Sequence, residues 1–175
     1  MQLIQEEILS ADYLEEVRDL LYQADHEFIP PLSSRNDTTQ AALLPGKESD
    51  QPPYTYFETM RQQAFILAVE EGHVAGFLSY IPAHPVRLEN REAICSYVST
   101  IVVKKTARGK KLTEKMYRAL FEHTDDRWVI TRTWSLNMAH LTILKRLGFT
   151  LAMTLPNDRG EGIDTVYYEK EITHA

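Results

Sequence analysis

Residues 96–121 constrain the fold more than any other stretch of the chain. An apolar, β-branched run (Val98, Ile101, Val102, Val103) gives way to a short basic turn. That turn opens into an amphipathic helix with Leu112, Met116, Ala119 and Leu120 on one face. Seven cations (Lys104, Lys105, Arg108, Lys110, Lys111, Lys115, Arg118) stand in fifteen residues against one acid, Glu114. The segment carries +6 within a chain of net −6, which leaves −12 on the rest. The first N–H groups of a helix lack internal partners, and the helix dipole favours negative charge there. A basic turn feeding such a helix start suits a phosphorylated ligand, with Lys and Arg adding charge-assisted hydrogen bonds. Taken alone, the same run also fits a solvated helix start.

A second pattern lies further on. Ile101-Val102-Val103 followed by Arg108-Gly109-Lys110-Lys111-Leu112-Thr113 resembles the acetyl-CoA pyrophosphate loop of the GCN5-related N-acetyltransferases, the GNAT superfamily. Residues 137–149, NMAHLTILKRLGF, resemble that family's second motif, in which Asn opens a helix that ends at Gly-Phe. The resemblance implies one N-acetyltransferase domain over residues 1–175, an α+β fold. Its mostly antiparallel, twisted sheet of about seven strands would splay at the acetyl-CoA site, with about four flanking helices. It also implies acetyl-CoA as co-substrate. Ile101, Val102 and Val103 would present backbone to the pantetheine arm. Arg108, Gly109, Lys110, Lys111, Leu112 and Thr113 would hold the pyrophosphate, and Asn137 and Leu144 would complete the cofactor site.

The sequence departs from the family pattern at Lys111, where a second glycine is usual, and at Thr113, where a third small residue is usual. Leu144 occupies the position of a frequent tyrosine that protonates the departing thiolate in many members. Residues 95–103 contain no Asp or Glu, so the strand carboxylate base of some relatives is missing. Acetylation needs a neutral amine, and its proton must go somewhere. Candidate groups are Ser99, Tyr97 and Ser96 holding a relay water, His84 and Glu92 before the strand, and Tyr168 with Tyr167 near the thioester sulfur. Each of these also has a plain reading as a surface or core residue. The N–H of Val102 is the expected donor to the thioester carbonyl. In this fold the run Thr131-Arg132-Thr133-Trp134-Ser135 would lie beside the cofactor's reactive end.

The rest of the chain reads as one domain of ordinary globular composition. No apolar run approaches membrane-spanning length, the acidic N-terminus lacks signal-peptide features, and Cys95 is the single cysteine. The expected location is the cytoplasm. The pattern predicts a strand within 2–9 and a helix capped at Asp12 with Glu15, ending near Phe28. The proline-rich stretch 30–53 reads either as a variable surface loop or as a lid over the acceptor site. A second capped helix follows from Thr55 towards Ala64. A hairpin comes next, of 65–69 and 74–81, then a polar connection through Pro82, His84 and Pro85 to a strand over 93–104. Beyond the helix of 109–123 come a strand at 128–133 and a helix at 138–147. Two strands, 150–155 and 163–172, then flank a turn at 157–160.

The function read from these features is transfer of acetyl from acetyl-CoA to a primary amine, by direct attack in a ternary complex. The acidic remainder would suit a cationic acceptor, although charge alone does not choose one. A non-catalytic acyl-CoA-binding or sensing module is the alternative. Net acidity argues against nucleic-acid binding, and no membrane or metal partner is expected. A homodimer is compatible with the sequence, which marks no interface.

Overall fold

The computed structural model describes residues 1–43 and 50–174. One seven-stranded sheet runs in the order β1-β2-β3-β4-β5-β7-β6. Its strands are β1 (Gln2–Glu6), β2 (Ala64–Glu70), β3 (His73–Arg87), β4 (Glu92–Val103), β5 (Trp128–Trp134), β6 (Thr150–Gly160) and β7 (Ile163–Glu171). Every neighbouring pair is antiparallel except β4 with β5. Four helices flank it: α1 (Ala11–Ala24), α2 (Tyr54–Met60), α3 (Leu112–His123) and α4 (Met138–Arg146).

Strand alternation gives the two faces different partners. Ile66, Leu78 and Val98 face α3 and α4, packing on Leu112, Met116, Tyr117, Leu120, Leu141 and Leu144. Phe65, Leu67, Phe77 and Val102 face α1 and α2, packing on Val17, Leu21, Tyr56, Phe57 and Met60. Burying one such aliphatic side chain is worth about 1.5–3 kcal/mol. The 3.6-residue stripes of the helices and the two-residue alternation of the strands are thus both satisfied in one sandwich.

Several boundaries differ from the sequence reading. Pro82, His84 and Pro85 do not form a connection, because β3 continues to Arg87 and pairs with β4. An irregularity between Ile81 and His84, with Ala83 at φ 50°, absorbs the prolines, which have no N–H to give to a ladder. Helix α3 begins at Leu112 and not at residue 109, since Gly109 (φ 85°) and Lys111 (φ 59°) are left-handed. Thr55 and Asp12 lie inside their helices, and neither α1 nor α2 has a side-chain N-cap bond. The expected turn 157–160 is the end of β6, and the chain reverses at 161–162. The loop or lid expected over 30–53 falls partly outside the described residues. Its described portion includes a short 3-10 turn, Leu32–Ser34. No helix among the described residues is long and apolar enough to cross a membrane.

Candidate active site

The site begins where β4 and β5 part. They pair from Cys95 with Trp128 to Val98 with Thr131, and no further. Beyond that fork, Ser99–Val103 forms one wall and Arg132–Trp134 the other, around a cavity of about 590 Å³. The register of β4 against β3 slips at Ser99, which stands opposite no residue of β3. Such a bulge re-aims a strand, and here it sits at the fork.

Peptide directions follow from alternation. The Lys104 N–H donates to Ala75 O, and the Val102 carbonyl lies against Gly76, so both are turned into β3. The intervening peptides of Ile101 and Val103 therefore face the gap, where Val103 O accepts from Arg108 Nε at 3.2 Å. The expected donor at Val102 is displaced by this geometry, because its N–H belongs to the β3 ladder. The open N–H groups are those of Ile101 and Val103.

The basic turn closes one end of the cavity. Arg108, Gly109, Lys111, Leu112 and Thr113 line it, whereas Lys110 turns outward to Glu70 at 3.2 Å. Arg108 reaches across to Glu27, with Nη2 2.8 Å from its carboxylate. Lys111 holds the left-handed conformation that a glycine would adopt freely, at a cost of about 1–2 kcal/mol. Leu112 is buried and anchors the helix start. Asn137, the residue before α4, lines the cavity, but its side chain makes no cap bond; its Nδ2 donates to Thr133 Oγ1 at 3.0 Å. Leu144 is fully buried in the core below, and His140 and Ile143 line the cavity in its place.

The four catalytic candidates separate. Ser99 lines the cavity and donates to Gln63 Oε1 at 2.6 Å, with Ser79 Oγ 2.9 Å away. Gln63 in turn donates to Thr38 Oγ1 at 2.7 Å, so Ser99 belongs to a hydroxyl and amide chain along the wall. Tyr97 is buried in a separate apolar cluster with Cys95 and Ile130, and burial raises its pKa. His84 stacks on Tyr97 at 5.4 Å, outside the cavity lining, and desolvation lowers its pKa. Tyr168 is core on the α3 face. Glu92 is exposed at the start of β4. Cys95 donates weakly to His84 O, and burial pushes its thiol up to about 12, which keeps it inert.

A sequence profile of the acetyltransferase (GNAT) family matches residues 16–149. That span takes in the basic turn, the fork and both helix starts described above. The chain belongs to the GNAT family. No curated protein sequence matches it. Among solved structures, it is similar to aminoglycoside 6'-acetyltransferase type Ii, with a TM-score of 0.71, 15% identity, and coverage of 100% of this chain and 99% of that one. Ribosomal-protein-alanine N-acetyltransferase from Brucella melitensis is similar at TM-score 0.65 and 17% identity, covering 96% and 99%. The yncA protein from Salmonella typhimurium, solved with its cofactor acetyl-CoA, gives TM-score 0.65 and 15% identity, covering 100% and 96%. At these identities the likeness shows the fold.

Two groupings in this GNAT site escaped the sequence reading. Tyr117 of α3 is fully buried, with its hydroxyl 2.8 Å from His140 Nε2. Thr131 Oγ1 donates to Val98 O at 3.1 Å, directly at the fork. Tyr117 and His140 stand 23 residues apart, so no local pattern announces the pair. The second grouping is arginine: Arg35 and Arg159 join Arg132, which was expected beside the cofactor's reactive end, on the cavity lining. Arg159 had the look of a turn residue beside Asn and Gly, and Arg35 sat in a stretch without periodicity. Their burial is a tertiary outcome.

Proposed function

We propose that this chain moves an acetyl group from acetyl-CoA to a primary amine by direct attack. The observation that carries the reading is the fork: the N–H groups of Ile101 and Val103, with no strand beside them, face a cavity that runs to a basic helix start. An amide-rich pantetheine arm fits the open strand edge as a further strand would. Free amides at 109–113, with Arg108 and Lys111, match a pyrophosphate, and Asn137 stands where it can contact the arm. Lys110 adds charge from outside the cavity.

The chemistry needs an N–C bond formed, a C–S bond broken, one proton lost by the amine and one gained by the thiolate. The N–H of Ile101, on the open edge by the fork, polarises the thioester carbonyl. Among the described cavity-lining residues the carboxylates are Glu27 and Glu114, and both are ion-paired, with Arg108 and Arg146. No strong base is thus poised for the amine, and Ser99 with Gln63 holds a water that carries its proton away. Tyr117, behind Thr131, supplies the proton that the departing sulfur takes up and regains one from solvent through His140, which lines the cavity.

A second reading, an acyl-CoA-binding module without transfer, is favoured by one observation: Leu144 puts hydrocarbon where a proton donor is usual, deep in the core. Thiol release measured over a broad amine panel separates the two. Steady release with at least one amine supports transfer. Stoichiometric acetyl-CoA binding without release from any amine supports the binding module.

A further inference from the structure

We propose that the acceptor amine carries an oxyanionic group, a carboxylate or a phospho group, received by Arg35, Arg132 and Arg159 on the cavity wall. The proposal rests on the reading of this cavity as the transfer site, and names the substrate class for it.

Three guanidinium groups from distant parts of the chain converge there, from the α1–α2 connection, β5 and β6. Arg35 is 8% exposed and Arg159 is 2% exposed. Arginine stays charged in proteins, so burying it calls for an anion or a full set of acceptors. Among the described residues none of the three is ion-paired. Arg35 donates through Nε and Nη2 to the single carbonyl of Pro30, at 3.2 and 2.9 Å. Arg159 donates to Ile29 O at 2.8 Å and Thr165 Oγ1 at 2.9 Å. Arg132 stands opposite Tyr167 on the neighbouring strand, and its Nη2 is buried with no hydrogen-bond partner. The nearest acids are committed elsewhere: Asp25 accepts from the Ser33 N–H, and Asp158 from the Thr165 hydroxyl.

These partners fix the guanidiniums but neutralise nothing. Burial, then the charges of Arg35 and Arg132, push Arg159 down to about 9, against the weaker opposing pull of Asp158. Aromatic rings brace the cluster. Arg35 lies over Phe28 at 5.9 Å and Arg159 over Trp134 at 5.7 Å, and those two rings are 6.0 Å apart. A rigid, desolvated arrangement of forks with a free donor is complementary to an oxyanion.

The phosphates of the cofactor are a poor match for this cluster. Thr131 pairs with Val98 and Tyr168, which pack on the α3 side, so its neighbour Arg132 faces away from α3, with Ile130. The amides suited to phosphate are on α3 and its preceding turn. The arginines thus flank the other side of the fork, from which the amine must approach. The acidity of the whole chain, which pointed to a cationic acceptor, is reversed where the acceptor sits.

The test is a titration of the CoA-loaded protein with L-α-amino acids and small aminophosphonates, beside the matching amino acid amides and the polyamines putrescine and spermidine. Binding is read by calorimetry and transfer by thiol release. At least one oxyanionic amine is expected to bind, with its amide at least about tenfold weaker. The carboxylate and phosphonate arms tell the two sources of charge apart. Arg132→Gln should abolish the preference and Arg132→Lys keep part of it, with unchanged melting temperatures as the folding control. Amides or polyamines binding as well as the oxyanionic amines, or a preference unmoved in Arg132→Gln, would overturn the proposal. Oxyanion-selective binding without thiol release would keep the arginine site while removing transfer. Release from polyamines alone would do the reverse.

Discussion

Tyr117 and His140 share a 2.8 Å hydrogen bond between α3 and α4, and Tyr117 belongs to the same buried core as Val98 at the fork of the sheet. This places a buried phenol behind the fork in a chain whose second motif carries leucine instead of tyrosine. Tyr117→Phe is expected to lower kcat by about 3- to 30-fold while leaving the KM for acetyl-CoA unchanged, since a thiolate leaves well even unaided. Steady-state thiol release measures both. An unchanged kcat would remove Tyr117 from the proton path.

His140 also makes acid stability measurable. Burial lowers its pKa from 6.5 to about 4, so between those values the unfolded chain takes up a proton that the folded chain refuses. Stability therefore falls as pH drops from about 6.5 towards 4, and this group contributes no slope above that window. The loss is on the order of 1–3 kcal/mol by pH 4. His140→Gln keeps a partner for Tyr117 and should flatten this part of the profile in urea melts at stepped pH.

Arg108 is engaged by Glu27, and the two residues are 47% and 40% exposed at their side chains. Exposed pairs contribute about 0–1 kcal/mol to folding, so neither Arg108→Ala nor Glu27→Gln should move the melting temperature much. Ligand affinity should move in opposite directions. Freed of its carboxylate, Arg108 in Glu27→Gln is expected to bind acetyl-CoA about 2- to 5-fold more tightly, and Arg108→Ala about 10-fold or more weakly. Calorimetry on the double variant gives the coupling.

Lys111 tests the backbone of the cofactor loop. Its φ of 59° suits glycine, so Lys111→Gly should be neutral to stabilising by up to about 1 kcal/mol. Lys111→Val, branched at Cβ in a left-handed position, should lose at least about 1 kcal/mol. Thermal denaturation of the two variants decides it.

Without a carboxylate base free in the cavity, the rate should follow the acceptor's own proton. At subsaturating amine, log(kcat/KM) is expected to rise with pH at about unit slope up to the pKa of the amine used. A plateau beginning near neutrality, the same for amines of different pKa, would instead reveal an enzyme base.

Local patterns reached much of this architecture. Val98 to Leu120 spells strand, turn and helix because apolar period, charge and a positive-φ glycine agree there. The long β3 was hidden by Pro82 and Pro85, which a bulge at Ala83 accommodates. Of the catalytic candidates, Ser99 alone lines the cavity. Tyr97 and Tyr168 are buried on opposite faces, because Tyr97 pairs with Ile130 and Tyr168 with the next residue of β5, Thr131. Tyr117, Arg35 and Arg159 gave no sequence signal, because their positions depend on which elements the sheet brings together.

The central claim is that the β4–β5 fork binds acetyl-CoA, and calorimetric titration of the purified chain with acetyl-CoA, beside ATP as a phosphate control, tests it most directly. One-to-one binding that is weakened in Arg108→Ala and absent with ATP is the predicted result. No heat with acetyl-CoA, or equal affinity for ATP, would contradict it.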